Sequence, residues 1–173
     1  MSKHIGWGKC SIIIRDIDTD GSSWVKLPTP KEDSTTLETT AGDKLTADIE
    51  GGDYEDAKYE ASEYELSYTI RRNTERKKPM EDANGVVENH YEIFVQPEDS
   101  SVPGCYIKNS VVSLEEAFDT TDGGTLTYTH TALLPEDGTE QKVLWVTCNV
   151  DLSSVEEGTE YAESDITLTD FDA

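Results

Sequence analysis

The segment 62–72 alternates apolar and polar residues with a period of two, and this alternation constrains the fold more than any other feature of the chain. Its even-numbered residues from Tyr64 to Ile70 are all apolar or aromatic, so they would face one side of a strand. Such alternation is typical of a β-strand that packs one face on a core and leaves the other in solvent. Segment 62–72 is therefore predicted to be a half-buried strand.

Comparable short segments recur along the chain, separated by glycine and proline turn signals. Together they predict strands at residues 10–17, 23–27, 45–49, 62–72, 90–96, 105–118, 125–134 and 142–150. Frequent short strands favour an all-β fold, a β-sandwich or barrel, and the length of 173 residues suits a single domain. One short helix is also expected, with residues 74–89 and 113–118 as alternative positions.

The chain is strongly acidic, with 37 Asp and Glu against 14 Lys and Arg and a net charge of −23. The acidic residues are spread from Asp16 to Asp172, between the strand-like segments, and an acidic segment follows at about residues 156–173. Like charges destabilise a compact state, and direct binding to nucleic-acid phosphates needs Lys and Arg. The composition therefore disfavours a DNA-binding surface and suits a wall that DNA passes without sticking.

Residues 31–61 are polar and rich in threonine. They contain the weak strand 45–49, the turn signal Gly51-Gly52 and a segment, 54–61, that extends the hairpin. Few of these residues could anchor a core, so the segment is predicted to be a mobile loop or an arm that a neighbouring molecule orders. Leu45, Ile49 and Tyr54 are its candidate contact residues.

A basic cluster follows the strand at 62–72 and holds five of the 14 basic residues within eight positions, namely Arg71, Arg72, Arg76, Lys77 and Lys78. One interpretation is a solvated loop. The other is a complement for an acidic patch on an identical neighbour, which would supply attraction and register in an otherwise self-repelling assembly. The second is favoured, because the acidic arm at 31–61 also needs a partner.

Motifs for catalysis or metal binding are weak. Asp16, Asp18, Asp20 and Gly21 match the opening of a calcium loop, but Leu27 stands where the bidentate Glu should be, which favours a hairpin turn with solvated carboxylates. The three histidines lack metal-site spacing, and no nucleophile elbow, phosphate loop or dinucleotide fingerprint is present. The chain is therefore predicted to be no enzyme, with no cofactor and no metal; a small binding module with an acidic metal site remains an alternative.

The three cysteines, Cys10, Cys105 and Cys148, are odd in number and far apart. Each lies in an apolar or strand-like setting, which favours buried free thiols in a reducing compartment. No apolar run of signal-peptide length opens the chain, and no stretch approaches the roughly 20 apolar residues of a membrane span. A membrane is therefore not an expected partner.

The order and character of several segments resemble the major tail tube proteins of tailed bacteriophages. The similarity covers most of the chain and is carried by residues 24–35 (WVKLPTPKEDST), 48–52 (DIEGG), 64–72 (YELSYTIRR), 123–126 (GGTL), 133–135 (LLP) and 143–145 (VLW). Bacterial secretion-tube proteins are a close variant of the same interpretation. Another virion β protein, such as a capsid decoration or head–tail joining protein, remains the alternative.

The resemblance implies a β-sandwich subunit of a virion tail, assembled in the host cytoplasm. Six copies would form a ring, and stacked rings would form a tube through which DNA passes during ejection, with other tail proteins as further partners. The arm at 31–61 would join one ring to the next. Glu63 and Glu65, on the polar face of the strand at 62–72, are the predicted lumen-facing carboxylates, and the basic cluster with Leu45, Ile49 and Tyr54 would contact neighbouring subunits.

Overall fold

Antiparallel β-structure makes up most of the part of the chain that the computed structural model describes, residues 3–139 and 141–173. Two short 3-10 helices, Leu152–Ser154 and Glu163–Asp165, lie near its end. The prediction of an all-β fold is confirmed. The strands are β1 Ser11–Asp16, β2 Trp24–Lys26, β3 Thr36–Thr40, β4 Lys44–Asp48, β5 Tyr54–Tyr59, β6 Glu63–Arg71, β7 Tyr91–Gln96, β8 Gly104–Asp119, β9 Gly123–Ala132, β10 Leu144–Cys148, β11 Glu160–Tyr161 and β12 Leu168–Asp170.

The large sheet has the order β11-β2-β1-β7-β8-β9-β6-β3, and β10 joins the start of β8 and carries β12. Because β2 and β3 follow each other in the chain but lie far apart in the sheet, the segment 27–35 has to cross one face. Hydrogen bonds fix it on both sides: Leu27 N donates to Ile12 O on β1 at 2.9 Å, and Lys31 N donates to Thr69 O on β6 at 2.7 Å. The crossing therefore ties the two sides of the sheet together.

The sheet curls around a first hydrophobic cluster, which receives alternate residues from strands on both sides of the crossing. β1 contributes Ile12 and Ile14, β6 contributes Leu66 and Ile70, and β9 contributes Tyr128. The alternation of segment 62–72 is confirmed, because Leu66, Tyr68 and Ile70 are buried while the opposite face is polar. This cluster is therefore a core shared by the strands on both sides of the crossing.

A second cluster packs on the other face of β1, β7 and β8. Ile13, Phe94 and Tyr106 point away from the first cluster, as the period of two requires, and Val146 of β10 and Leu152 cover them. Both faces of β1 and β7 are thus buried, which explains why the first four residues of each strand are all buried and why each contains a run of three apolar residues.

The expected short helix is absent from the described residues, and both of its predicted positions are wrong. Residues 113–118 continue β8 and pair with β9 along its whole length, so Val112 and Leu114 are buried by sheet alternation and not by a helical face. Residues 74–89 form turns and bends, with isolated bridges from Val86 to Ala83 and to Ser113. Hairpin pairing with β9 has overridden the local helix propensity of Leu-Glu-Glu-Ala.

The arm expected at 31–61 is narrower in the structure. β3 belongs to the large sheet, where it pairs with β6, while β4 and β5 form a separate two-stranded sheet. Every residue of these two strands is exposed. We call the β4–β5 hairpin, residues 44–59, the arm.

Candidate assembly interface

One face of β3, β6, β9 and the second half of β8 consists mostly of hydroxyl and carboxylate side chains, with Arg71, Val111 and Ala117 as its other members. It lies opposite the first hydrophobic cluster, so its residues are the polar partners of the sheet alternation. We call it the hydroxyl–carboxylate face. Its hydroxyls are Thr36, Thr40, Ser67, Thr69, Ser113, Thr125, Thr127, Thr129 and Thr131, and its carboxylates are Glu38, Glu63, Glu65, Glu115 and Asp119.

The hydroxyls of this face bond to each other across strands. Ser67 Oγ lies 3.2 Å from Thr129 Oγ1, and Thr69 Oγ1 lies 2.9 Å from Thr127 Oγ1. Among the described residues the carboxylates bond to no hydroxyl of this face: Asp119 accepts from Thr121 N and Asp122 N, and Glu65 stands directly opposite Glu38 in the sheet register. Like charges at facing positions destabilise a sheet, so this arrangement costs stability in the isolated chain.

The four strands carrying this face end in two free edges. Thr69 N and O are bonded to Ser34 and Lys31 on the β3 side. The backbone N–H and C=O groups of the odd-numbered residues of β6 therefore point toward β3. The backbone of Glu65 therefore bonds to the backbone of Glu38. The backbone groups of Leu37 and Thr39 point the other way, outward from β3, which is the last strand of the sheet. Since no described strand follows β3 in the sheet, the outward N–H and C=O groups of these two residues form a free edge of unpaired donors and acceptors.

The second free edge belongs to the end of β8. Leu114 N donates to Gly85 O at 3.0 Å, on the side away from β9. The backbone N–H and C=O groups of the even-numbered residues of β8 therefore point to that side. Beyond the bridge from Ser113 to Val86, the described residues give β8 no partner there. Glu116 and Phe118 therefore direct their backbone groups outward, and the Phe118 side chain is 78% exposed.

The structure places the predicted lumen residues Glu63 and Glu65 on the hydroxyl–carboxylate face, where both are exposed. The predicted arm contacts are exposed as well, at 44% for Leu45, 48% for Ile49 and 56% for Tyr54. Sequence reasoning missed Tyr59, which is 67% exposed on the same hairpin.

The basic cluster is largely neutralised within its own chain. Arg76 holds Glu157 through two bonds, Nε to Oε2 at 2.8 Å and a second guanidinium nitrogen to Oε1 at 2.9 Å. Lys78 Nζ lies 2.7 Å from a carboxylate oxygen of Glu116 and 2.9 Å from one of Asp82. The hydrogen bond from Lys78 lowers the pKa of Asp82, as the bond from Arg76 lowers the pKa of Glu157.

Two further members of the cluster also have acidic partners. Asp122 pairs with two cations: Lys31 Nζ lies 2.9 Å from its Oδ2, and a guanidinium nitrogen of Arg71 lies 2.8 Å from its Oδ1. The hydrogen bond from Lys31, followed by that from Arg71, lowers the pKa of Asp122. Arg72 lies 3.8 Å from Glu116. Within residues 3–139 and 141–173, Lys77 is the one member of the cluster in no ion pair. Four of the five members of the basic cluster are therefore already in ion pairs within their own chain.

The acidic turn after β1 uses its carboxylates internally. Asp16 accepts from Asp18 N at 2.9 Å and from Asn89 Nδ2 at 2.7 Å. Asp18 accepts from His90 N at 2.7 Å, and hydrogen bonding from His90 lowers the pKa of this carboxyl. The hairpin-turn interpretation fits this geometry, and the described residues contain no group of three or more metal-type ligands.

A threonine at every second position of β9, from Thr125 to Thr131, is the sequence signal that would have revealed the hydroxyl–carboxylate face. Scans against models of known protein families and against curated proteins find no match to this chain. The described part of the chain has no helix long and apolar enough to cross a membrane.

Proposed function

We propose that this chain is the repeating subunit of a tube of the phage-tail class, in which rings of identical copies, six to a ring, stack around a lumen that conducts DNA. The observation that carries the proposal is the four-stranded part of the sheet, with one hydroxyl–carboxylate face and a free edge on each side. The sequence resemblance to tail tube proteins supports the same function. The role is structural, with no catalysis, in a virion tail that assembles in the host cytoplasm and joins other tail proteins.

The strand directions favour ring closure. β3, β6, β9 and β8 alternate in direction, so the free edge of β8 runs antiparallel to β3. A second copy set beside the first in the same orientation brings its β3 against this edge, and the sheet continues as an antiparallel one. Such a head-to-tail contact closes into a ring when the rotation allows. Six copies give a barrel of roughly 24 strands, about 50 Å across, at a strand spacing of about 4.8 Å and a tilt of about 40°.

The position of the core decides which face lines the lumen. β1, β7 and the first hydrophobic cluster pack on the apolar side of the four strands. A closed ring leaves room for this bulk only on its outer side, so the hydroxyl–carboxylate face points inward. Repeated carboxylates there repel phosphates, and the cation Arg71 of this face is paired with Asp122. DNA then meets a wall that it does not bind.

The arm extends the contact from one ring to the next. It makes no buried contact with its own body, and its exposed Leu45, Ile49 and Tyr54 are suited to packing on a neighbour. An unsupported hairpin of two strands is marginal alone, so a neighbouring copy would stabilise it.

A proline at Thr39 tests the edge contact. The backbone N–H of this residue points away from β6, so Thr39→Pro removes an outward donor and leaves the bonds within the subunit intact. Thr39→Val is the matched control, because it changes the side chain and keeps the N–H. We expect rings and tubes by negative-stain electron microscopy for the natural protein and for Thr39→Val, and monomers with an unchanged unfolding midpoint for Thr39→Pro.

Monomers of the natural protein at every concentration and ionic strength would contradict the tube function. Assembly only on a capsid lattice would instead indicate a decoration protein. Normal tubes from Thr39→Pro would show that the β3 edge is not the ring contact.

A further inference from the structure

The tip of the arm, residues 48–56, is a preformed structure without partners. Ile49 N donates to Asp53 O at 3.0 Å, and Gly52 N donates to Ile49 O at 3.3 Å, so the turn is closed by its own bonds. Ile49 and Tyr54 are about half exposed. No ion pair among the described residues involves the carboxylates of the tip, which are Asp48, Glu50, Asp53, Glu55 and Asp56.

A cleft of about 950 Å³ opens where segment 27–35 crosses the sheet. Strands from both sides of the crossing and the start of β8 enclose it. Its lining is mainly apolar and includes Leu37, Leu66, Val95, Val102 and Trp145. A cleft of this size takes several side chains, as recognition clefts for protein segments and ligands do.

Segment 3–9 is exposed and borders this cleft: Gly6, Gly8 and Lys9 line it, while Lys3, Ile5 and Trp7 line a neighbouring pocket. Ile5 and Trp7 are 71% and 75% exposed, and Lys3 and Lys9 form no ion pair with the described residues. Residues 1–15 contain no Asp or Glu at all. The rim therefore offers cations that are not already paired, in contrast to the basic cluster.

Acidic groups also border this surface. Asp99 lies 3.4 Å from His4 and accepts two bonds from Ser101, and Glu98 stands beside segment 3–9. Glu32 and Asp33 line the cleft itself. These carboxylates offset the cations in net charge, so any attraction for an acidic partner comes from the unpaired Lys3 and Lys9 locally.

We propose that the cleft and segment 3–9 together receive the arm tip of a second copy. Ile49 and Tyr54 enter the apolar cleft, and the tip carboxylates meet Lys9 at its rim and Lys3 in the neighbouring pocket. This inference rests on the proposed function, because it takes the second copy to belong to the adjacent ring of the tube. Because tip and cleft are different surfaces, the contact is head-to-tail and repeats along the tube axis.

One such contact is small and weak alone. A hairpin tip buries less than the roughly 1,000 Å² expected of a stable interface, so its strength in a tube comes from repetition around each ring. Exposed charge pairs also make it sensitive to salt.

Zero-length carbodiimide cross-linking of the full chain at low ionic strength tests where the tip lies. We expect amide links from Lys3 or Lys9 to carboxylates of residues 48–56, joining ¹⁵N-labelled to unlabelled copies in a mixed sample. Links within a single copy would overturn the proposal, because the arm would then fold onto its own cleft. Links from the tip to Lys77 alone would also overturn it.

A charge swap tests the contact energetically. Lys9→Glu and Glu50→Lys should each weaken association, measured by sedimentation, by about threefold to tenfold. The two changes in one chain should restore it to within about twofold. Lys77→Glu is the matched control, with the same change in net charge at another exposed, unpaired lysine; it should have little effect and should not rescue Glu50→Lys. Failure of the double variant to recover would overturn the proposal.

The outcomes separate this inference from the proposed function. Cross-links and charge rescue in short chains of copies, without rings, would support the tip contact and contradict the tube. Tubes whose cross-links join the tip to another surface would support the tube and contradict the tip contact.

Discussion

The buried histidine of β9 should make the fold sensitive to acid. His130 is fully buried, with Nε2 2.9 Å from Tyr68 Oη and Nδ1 3.0 Å from Ser110 Oγ. Ser110 donates its own proton to Tyr91 O at 2.7 Å, so it accepts from His130 Nδ1–H, and Tyr68 donates to Nε2. The neutral ring is thus fully satisfied, and burial lowers the pKa of His130 from 6.5 to about 3.

The magnitude follows from linkage. Between pH 6.5 and pH 3 the unfolded chain binds a proton at this histidine that the folded chain does not, so stability falls as pH falls. The loss is about 1.4 kcal/mol per pH unit and at most about 5 kcal/mol in all. It is fully recovered above pH 6.5. A domain stable by about 5–15 kcal/mol would lose a large share of its stability.

Urea unfolding at pH 7, 6, 5 and 4 measures this effect when the natural protein is compared with His130→Gln. The variant is expected to be less stable at pH 7, because Tyr68 and Ser110 lose part of their hydrogen bonding. Its disadvantage should shrink by about 1.4 kcal/mol per pH unit below pH 6.5, since glutamine does not titrate. The carboxylates titrate in both proteins and cancel in the difference. A difference that stays constant from pH 7 to pH 4 would refute the reasoning.

Three further predictions concern the core, a thiol and the arm. Gly104→Ala should cost about 2 kcal/mol or more, because the new Cβ would lie 2.0 Å from Val95 O, whereas Gly124→Ala, whose new Cβ would lie no closer than 3.4 Å to the flexible Arg72 side chain, should change stability by less than about 0.5 kcal/mol. Burial raises the pKa of Cys105 to about 12, so iodoacetamide at pH 8 should label it more slowly than the half-buried Cys10 until urea is added. Replacing the arm by a short Gly-Ser linker should change the free energy of unfolding by less than about 0.5 kcal/mol and leave single rings that do not stack in electron micrographs; stacked tubes would contradict its role.

Local patterns predicted most of the strands because their faces differ in polarity. Segment 62–72 showed its buried side directly, and the exposed, unanchored composition of 45–61 indicated a hairpin without a core. The pattern failed where the composition of a segment and its strand pairing favour different structures. Residues 113–118 look helical in isolation, and the hairpin that they form with β9 makes them a strand.

The candidate interface was predicted in part for the same reason. Glu63 and Glu65 could be placed on a polar face from alternation, but the free edges of β3 and β8 depend on which strands lack a neighbour, which no local pattern reports. The basic cluster illustrates the opposite error. Its charges looked available because their partners, among them Glu116 and Glu157, lie far away in the chain.

The two kinds of contact should respond to salt in opposite directions, and this follows from where the charges lie. Closing a ring brings Glu38 and Glu65 of every copy onto one inner surface, so added salt screens their repulsion and favours rings. Docking of the arm tip on Lys3 and Lys9 is an attraction, which the same salt weakens. Rising ionic strength should therefore increase the fraction of rings and decrease the number of rings per stack, as counted in electron micrographs. If both quantities rose or fell together, the charges of the hydroxyl–carboxylate face and of the arm tip would not act at separate contacts.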